Sequence, residues 1–211
     1  MKKGILFDLD GTLWDSSQTV LDSWNEALAK NTDLNRTYTV EQMKSYMGKT
    51  LDKIGDMMFP DLPVSERMRL MHLLADYERV YLKSHSSKYF AGEERIIREL
   101  AKDYFLGVVS NCQDGYIQIF IDQCGFGECF SDFECSRTGL DKGGNIGLVA
   151  QRNSLDRLIY VGDTVLDGEA ARKAKVPFIH AGYGFGRPDD FDLRIASIEE
   201  LPAAAKQLLG D

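Results

Sequence analysis

Two aspartates follow a short apolar run close to the start of the chain. Residues 4–7 read Gly-Ile-Leu-Phe and lead directly into Asp8, and Asp10 follows two positions later with Gly11 and Thr12 behind it. Carboxylates held this close repel each other, and each raises the pKa of its neighbour. In a structural turn that repulsion brings no benefit, whereas two close carboxylates can bind a metal ion or transfer a proton. The pattern therefore predicts a catalytic or metal-binding site at this point of the chain.

Two later apolar runs also end in polar residues. Residues 104–109 lead into Ser110 and Asn111, and residues 157–162 lead into Asp163. Parallel sheets bind ligands outside the carboxyl ends of their strands, and neighbouring strands lie about 4.8 Å apart. We therefore expect the aspartate pair and these side chains to share one small site. Taken singly, each of the later residues is also an ordinary turn residue, so the prediction depends on the three runs being neighbouring strands.

The distribution of apolar residues along the chain indicates an α/β fold. Near-continuous apolar runs predict strands at residues 4–7, 104–109, 157–162, 176–181 and 193–196. Helical patterns predict helices at residues 93–102, 115–124, 143–152, 166–174 and 198–209. Strands without polar alternation are typical of a parallel sheet that is covered on both faces. Since strands and helices alternate, we predict a Rossmann-like parallel sheet with helices on both faces.

The interval 16–85 differs from the rest of the chain. It has helical periodicity nearly throughout, interrupted by turn signals, and contains no convincing strand. A connection of this length is unusual within one sheet, so it predicts an inserted, all-helical cap domain. The predicted domains are a Rossmann-like catalytic core, formed by residues 1–15 and 86–211, and the cap, formed by residues 16–85. Trp14 and Trp24 are expected to pack where the two domains meet.

The charge balance restricts the class of partner. The chain has 211 residues and a formal net charge of −8, which argues against nucleic acid or an anionic membrane as a partner. No apolar run reaches the roughly 18 to 20 residues that a membrane span requires. The apolar stretch behind the basic N-terminus is too short for an export signal, so the expected location is the cytoplasm. Binding of an anionic substrate would then require a local cation.

The metal-binding residue types favour oxygen ligands. The four cysteines have no C-x-x-C spacing, and the three histidines form no H-x-x-x-H pair. These patterns are typical neither of a zinc site nor of a disulfide framework. Any metal is therefore expected to be a hard cation bound by oxygen atoms.

Two glycine-containing stretches do not qualify as nucleotide-binding motifs. Gly48-Lys49-Thr50 lacks the glycine that a P-loop requires five positions earlier, where this chain has Met43. The stretch AGYGFGRP does not fit the G-x-G-x-x-G pattern and predicts a loop after a strand.

Four short motifs occur in the order and approximate spacing of a known family. They are FDLDGTLWDS at the first strand end, VVSNC at the second, Lys142, and YVGDTVLDGEAA at the third. In these motifs the chain resembles, over essentially its whole length, the haloacid dehalogenase-like phosphohydrolases. The helical interval after the first motif resembles the cap of the phosphoglycolate-phosphatase and β-phosphoglucomutase branch. The first and fourth motifs are highly specific, and the other two inform through their order.

The resemblance implies a role for each acidic residue. Asp8 would be the nucleophile that attacks phosphorus, and Asp10 would be the general acid and base. Mg²⁺ would be held by the side chain of Asp8, the backbone carbonyl of Asp10 and the side chain of Asp163, which are ligands of the kind this ion prefers. Asp167, four residues further on, would orient the ligands around the ion.

The resemblance also implies how the phosphoryl group is held. The residues assigned to phosphate binding are Asp8, Gly11, Thr12, Ser110, Asn111 and Lys142. Ser110 would donate a hydrogen bond to a phosphoryl oxygen, and Lys142 would neutralise charge on the transferring group, so that both are catalytic candidates. In the cap, Gly48-Lys49 resembles a substrate-facing turn, which makes Lys49 a candidate for contact with the leaving group.

Together these features predict a Mg²⁺-dependent phosphatase, a phosphoric monoester hydrolase that acts on a small phosphorylated metabolite through an aspartyl-phosphate. Three alternatives remain open. A phosphomutase uses the same core, although SSQTVLDSWNEALAK lacks the cap histidine of that branch. A 2-haloacid dehalogenase has no acid at the position of Asp10, and a catalytically idle regulatory or binding protein could lose any one catalytic group. The identity of the phosphate ester and the oligomeric state do not follow from the sequence.

Overall fold

The computed structural model of the protein describes residues 1–210 and contains a six-stranded parallel sheet. In chain order its strands are β1 (Lys3–Phe7), β4 (Phe105–Val109), β5 (Asp132–Glu134), β6 (Arg157–Gly162), β7 (Phe178–Ala181) and β8 (Leu193–Ile195). They lie side by side in the order β5-β4-β1-β6-β7-β8. A separate two-stranded ribbon pairs β2 (Trp14–Asp15) with β3 (Lys88–Tyr89) in antiparallel fashion.

The first strand lies between the two strands whose ends carry the other candidate residues. Phe7 of β1 is in register with Val108 of β4 on one side and with Val161 of β6 on the other. All three strands are parallel, so their carboxyl ends open at the same edge of the sheet. The three apolar runs are thus neighbouring strands, as the prediction of a shared site requires.

Both faces of the sheet are buried under helices. The helices after β3 are α5 (Glu93–Leu100), α6 (Tyr116–Gln123), α7 (Lys142–Arg152), α8 (Val165–Ala174) and α9 (Leu201–Leu209). Side chains alternate across a strand, and accordingly Ile5 and Phe7 pack into one apolar cluster with residues of α5, α6 and α9. Leu6 packs into a second cluster with residues of α7 and α8. The predicted Rossmann-like sheet with helices on both faces is confirmed.

One strand of the sheet does not appear in the sequence-based prediction. β5 has only three residues, Asp-Phe-Glu, and two of them are acidic. This short edge strand has no continuous apolar run, because two of its three side chains are acidic and pair with a cation. Arg152 of α7 is that cation, and it pairs with Asp132 and Glu134.

The interval between the two strands of the ribbon is helical, as expected. Its helices are α1 (Ser17–Asn31), α2 (Val40–Tyr46), α3 (Leu51–Met58) and α4 (Val64–Leu82). We call this interval, residues 16–87, the insertion. Its apolar side chains, Trp24 among them, join the same buried cluster as Ile5 and Phe7, so the insertion packs directly on one side of the core. Among residues 1–210, no helix combines the length and apolar character needed to cross a membrane.

Candidate active site

The carboxyl edge of the sheet carries a group of three buried aspartates. Asp8 follows β1, Asp163 follows β6, and Asp167 lies in the first turn of α8. One carboxylate oxygen from each lies within 4.8 Å of the others. The backbone amide of Asp8 donates to the carbonyl of Val161 at 2.8 Å, which continues the β1–β6 pairing by one residue. The register of the two strands therefore determines where the first two carboxylates stand.

Lys142 is the cation of this group. Its Nζ lies 3.0 Å from Asp8 and 2.6 Å from Asp167, and its side chain is almost fully buried. It begins α7, where Gly143 lies so close to α8 that a Cβ atom there would stand 3.0 Å from the carbonyl oxygen of Ala170. The glycine after Lys142 thus allows the close approach of the two helices that brings the ammonium group to the aspartates.

The charges of the group do not balance. Burial and the neighbouring Asp167 raise the pKa of Asp8 to about 7, although Lys142 acts in the opposite direction. Burial and the other two aspartates raise the pKa of Asp163 well above its ordinary value. A buried group of three carboxylates and one ammonium is short of positive charge, and a cation would relieve that shortage.

Unpartnered oxygen atoms show where a cation fits. Oδ2 of Asp8 and Oδ1 of Asp163 are buried and have no hydrogen-bond partner within residues 1–210. Buried carboxylate oxygens are normally hydrogen-bonded, paired or bound to a metal. The donor set consists of oxygen atoms alone, which suits a hard divalent cation. The buried aspartates can therefore hold a metal ion.

Asp163 is positioned by a loop whose role does not follow from its sequence pattern. The backbone amides of Phe185 and Gly186 donate to its Oδ2 at 2.7 and 3.2 Å. Gly11 lies close to the same carboxylate, because a Cβ atom at this position would stand 2.5 Å from Oδ2. Gly11 also has φ of +85°, a backbone conformation that favours glycine. A Cβ atom at Gly184 would stand 2.4 Å from the Cβ of Asp163. The glycines of AGYGFGRP thus let two loops close around one metal-ligand candidate.

Asp167 has different surroundings from the other two acids. Its Oδ1 accepts from Lys142, and its Oδ2 accepts from the amide and the hydroxyl of Thr164 at 2.9 and 2.6 Å. The hydroxyl of Thr164 in turn caps the first turn of α8, which is a capping box. Both oxygens of Asp167 are occupied by protein donors, so this residue holds Lys142 and the start of α8 in place.

Asp10 is fixed by three donors on one oxygen. Its Oδ1 accepts from Trp14 Nε1 at 2.8 Å, from Ser16 Oγ at 2.5 Å and from Tyr116 OH at 2.9 Å. Burial raises the pKa of Asp10, and these hydrogen bonds offset part of that rise. Asp10 also lines a cavity between the core and the insertion. Trp14 is therefore more than a packing residue. Ser16 ends the first motif but was not assigned a role, and Tyr116 lies outside the motifs.

The remaining predicted residues surround this cavity or lie close to it. Ser110 is buried at the end of β4 and lines the cavity. Asn111 Nδ2 donates to the carbonyl of Gly48 at 2.9 Å, which joins the core to the turn between α2 and α3. Lys49 lines the cavity and donates from Nζ to the carbonyl of Ser45. Thr12 is fully buried, and its hydroxyl has no partner within residues 1–210.

Glu78 of α4 is a cavity residue that does not appear among the predictions. It is buried, its Oε2 accepts from Trp24 Nε1 at 2.5 Å, and its Oε1 accepts from Gln113 Nε2 at 2.7 Å. Burial raises the pKa of Glu78 to about 8. A signal was present in the sequence, because Glu78 continues the buried face of α4 that Met71, Leu74 and Leu82 define at helical spacing. A lone acid within an apolar helix face indicates a buried polar contact.

Comparison with known proteins gives a consistent result. The family model for haloacid dehalogenase-like hydrolases matches residues 5–181. A curated relative, the phosphoglycolate phosphatase of Xylella fastidiosa, is 27% identical over 201 residues, which cover 88% of this chain and 82% of the relative. The phosphoglycolate phosphatase of Mesorhizobium japonicum is 24% identical over 192 residues, covering 86% of this chain and 83% of that protein.

Solved structures share the whole architecture. A predicted phosphoglycolate phosphatase from Haemophilus somnus superimposes with a TM-score of 0.82, 21% identity and coverage of 96% of this chain and 97% of that one. A haloacid dehalogenase-like family protein from Streptococcus pneumoniae does so with a TM-score of 0.83, 19% identity and coverage of 97% and 98%. These findings confirm the resemblance read from the motifs and the enzyme class, a hydrolase whose curated relatives are phosphatases. The chain belongs to the haloacid dehalogenase-like hydrolase family.

Proposed function

We propose that this enzyme is a Mg²⁺-dependent phosphatase that hydrolyses a small phosphorylated metabolite through an aspartyl-phosphate. The observation that carries the proposal is a pair of buried oxygens, Oδ2 of Asp8 and Oδ1 of Asp163, that have no hydrogen-bond partner within residues 1–210. The ammonium group of Lys142 lies 3.0 Å from the other carboxylate oxygen of Asp8. The names of the curated relatives, phosphoglycolate phosphatases, support the same reaction type.

Three groups would hold the metal ion. They are the side chains of Asp8 and Asp163 and the backbone carbonyl of Asp10. When bound, Mg²⁺ would supply positive charge next to the phosphoryl oxygens and the two carboxylates. Asp167 keeps Lys142 in place and so orients this group without using its own oxygens for the ion.

Asp8 would carry out the first displacement. A carboxylate oxygen of Asp8 attacks phosphorus, the bond from phosphorus to the ester oxygen breaks, and the phosphoryl group is now on Asp8. Asp10 gives its proton to the leaving alkoxide, which departs as the alcohol. The raised pKa of Asp10 suits this step, because a general acid must be protonated before it can donate.

Water would complete the cycle. The ionised Asp10 takes a proton from water as the water oxygen attacks phosphorus, and the bond from phosphorus to Asp8 breaks. Inorganic phosphate leaves, Asp8 is again a carboxylate, and Asp10 is again protonated. The three donors on one oxygen of Asp10 hold this carboxyl group in one orientation through both steps.

The phosphoryl oxygens would be held by residues around the same edge of the sheet. Ser110, Thr12 and the backbone amides near Gly11 and Asn111 supply neutral donors, and Lys142 supplies charge. The unpartnered hydroxyl of Thr12 supports its part in this set. Residues 16–85 would act as a cap on a core formed by residues 1–15 and 86–211. The contact of Asn111 with Gly48 would mark the closed position of this cap.

Phosphate release from an aryl phosphate ester tests the proposal. We expect release by the purified enzyme with Mg²⁺, its loss in excess chelator, and a loss of at least about 10⁴-fold in kcat for Asp8→Asn, since the nucleophile is removed. Asp33→Asn, at an exposed position of the insertion, is the matched control and should keep full activity. Full turnover by Asp8→Asn, or equal turnover in chelator, would contradict the proposal. Halide release from a 2-haloacid without metal would favour the dehalogenase alternative.

A further inference from the structure

A depression between the insertion and the loop after β7 has a lining whose only ionisable side chains are cations. Within residues 1–210 these cations are Lys44, Lys49, Lys53 and Arg187. We call it the basic depression. Its volume is about 320 Å³, within the range of roughly 300–1,000 Å³ that is typical of ligand pockets. In a chain with a formal net charge of −8, a depression of purely positive charge indicates a site for an anion.

Neighbouring acids do not neutralise these four cations. In the part of the chain that the structure describes, none of the four forms an ion pair with a carboxylate. The exposed acids Glu41 and Asp52 lie on the same helices as two of the lysines and do not pair with them. Burial and the neighbouring charge of Lys53 lower the pKa of Lys49, as expected for cations that repel each other. The positive charge of the basic depression is therefore available to a ligand.

The cation at the aspartate edge is already paired. Lys142 lies 2.6 Å from Asp167 and 3.0 Å from Asp8, so it adds no unpaired charge to attract an anion from solution. A phosphate monoester carries about 1.5 to 2 negative charges at pH 7. Its capture by a chain of net negative charge depends on a local group of unpaired cations, and the basic depression supplies one.

The basic depression adjoins the aspartate edge. Thr164 directly follows Asp163 and lines the depression, and so does Gly186, whose amide donates to Asp163 at 3.2 Å. Lys49 lines both this depression and the cavity beside Asp10. An anion in the depression therefore lies next to the backbone that positions a metal-ligand candidate.

Both parts of the molecule contribute to the basic depression. The three lysines belong to the insertion, and Arg187 belongs to the loop after β7. Lys44 Nζ lies 5.8 Å from the ring centroid of Phe185, which is a cation–π contact between insertion and core. The four cations are thus brought together when the insertion lies against the core.

We propose, building on the phosphatase function above, that the basic depression captures the phosphoryl group of the incoming ester. The anionic group docks among the three lysines and Arg187 before it moves to Asp8, so the depression promotes encounter and takes no part in bond breaking. Its ligand is defined by charge, as a phosphate monoester with any alcohol part or inorganic phosphate. The expected signature is a KM that depends on these cations and on ionic strength, with a kcat that depends on neither.

The double variant Lys44→Gln/Lys53→Gln tests this capture. Both side chains are exposed, and Arg187 is left unchanged because it donates to backbone carbonyls of the loop that holds Asp163. With Mg²⁺ and an aryl phosphate at an ionic strength of about 0.01 M, where the Debye length is about 30 Å, kcat/KM should fall at least about fivefold with an unchanged kcat. At about 1 M, where the Debye length is about 3 Å, the variant and the wild type should have the same kcat/KM.

A second double variant separates position from net charge. Lys83→Gln/Lys102→Gln changes two exposed lysines outside the depression and alters the net charge of the chain by the same amount. It should keep the wild-type kcat/KM at both ionic strengths. Equal losses in the two double variants would show that the net charge, and not the basic depression, attracts the ester.

Inorganic phosphate gives a readout that needs no turnover. In a phosphate titration of the Mg²⁺-loaded protein followed by amide NMR shifts, the amides of Ser45 and Arg187 should shift in the wild type. Lys44→Gln/Lys53→Gln should need at least about fivefold more phosphate for the same shift. Unchanged shifts at both amides of the wild type would contradict the capture site.

The outcomes separate this inference from the function on which it depends. If Lys44→Gln/Lys53→Gln keeps the wild-type kcat/KM at low ionic strength, or if its loss persists at about 1 M, the capture site is wrong and the phosphatase function stands. If no aryl phosphate releases phosphate with Mg²⁺, the proposed function itself fails, and the phosphate titration still tests the basic depression.

Discussion

The aspartate edge of the core and the cavity of the insertion are built in opposite ways. At the edge, neighbouring strands in fixed register deliver acids that follow directly after apolar runs. In the cavity, the helices and turns of the insertion each contribute separate side chains, and one acid stands among apolar groups. Strand register positions the aspartates of the edge, and helix packing positions the side chains that line the cavity. The first kind of site can be read from local sequence, and the second cannot.

The two regions also treat buried charge differently. At the edge, Asp8 and Asp163 keep buried oxygens that have no hydrogen-bond partner within residues 1–210 and that a metal ion can contact. In the cavity, both oxygens of Glu78 have protein donors already. We therefore expect substitutions at the edge to affect metal dependence and turnover, and substitutions in the cavity to affect the choice of substrate.

Among the variants that compare the two regions, Asp163→Asn at the edge has the largest expected effect. An amide offers the ion a neutral oxygen in place of a charged one, so we expect a loss of at least about 10³-fold in kcat/KM and a higher Mg²⁺ requirement. Activity measured across a Mg²⁺ titration checks both. An unchanged Mg²⁺ requirement would show that the metal lies elsewhere. Asp103→Asn, at an exposed position remote from the site, is the control.

A smaller effect is expected where the two regions meet, at Tyr116→Phe. The variant removes one of three donors from Asp10 but keeps the edge-to-face ring contact with Trp14. We expect an unchanged fold and a fall in kcat of about tenfold, because Asp10 loses an orienting hydrogen bond. That bond lowers the pKa of Asp10, so its loss should raise this pKa and shift the pH profile of kcat to higher pH. Tyr77→Phe, whose hydroxyl donates to Glu26 on the insertion, is the matched control. Equal pH profiles for Tyr116→Phe and wild type would contradict this role.

These contacts show where sequence-based prediction succeeds. Asp8, Ser110 and Asp163 were predicted to lie together because each follows an apolar run, and β1 does lie between β4 and β6. Asp167 and Lys142 were assigned through the family resemblance, and the structure brings both to Asp8. In a parallel sheet, residues that follow neighbouring strands lie close together even when they are far apart in the sequence. This part of the site could therefore be predicted.

Other contacts depend on tertiary packing, which has no local pattern. Tyr116 reaches Asp10 from 106 positions away, and Gln113 meets Glu78 across the boundary between core and insertion. The donors from Phe185 and Gly186 to Asp163 are backbone amides. Every residue except proline has such an amide, so the residue types do not predict these hydrogen bonds. The fold class followed from periodicity, whereas these partners follow only from the way the elements pack.

The smallest expected effect concerns a buried acid outside both regions, Glu93 in α5. Burial raises its pKa to about 8, and its Oε1 has no partner within residues 1–210. The folded protein therefore keeps a proton on Glu93 that the unfolded chain gives up near pH 4.5, so this group lowers stability as pH rises toward 8. In Glu93→Gln the thermal midpoint should fall several degrees less between pH 5 and pH 9 than in wild type.

The turnover of Glu93→Gln, compared with that of the wild type, is the control for this prediction. Glu93→Gln should retain wild-type turnover at its optimum, because the residue lies apart from the aspartate edge and the cavity. An equally steep fall of the thermal midpoint in both proteins would show that Glu93 is not the group responsible. Together the three variants test three buried acids for different roles. Asp163→Asn tests metal binding by Asp163, Tyr116→Phe tests proton transfer by Asp10, and Glu93→Gln tests the effect of Glu93 on stability.

The ribbon of β2 and β3 has a consequence for how such enzymes diversify. Because Asp15 is paired with Lys88, the chain leaves the core and returns to it at adjacent points. The entropy of closing a loop depends only weakly on its length, so a different helical module could be grafted between these two points without reordering the sheet. The graft would have to preserve Ser16, which donates to Asp10, and supply a new partner for Gln113. The segment between the two strands can thus be exchanged while the aspartate edge stays the same, with a two-residue strand on each side as the junction.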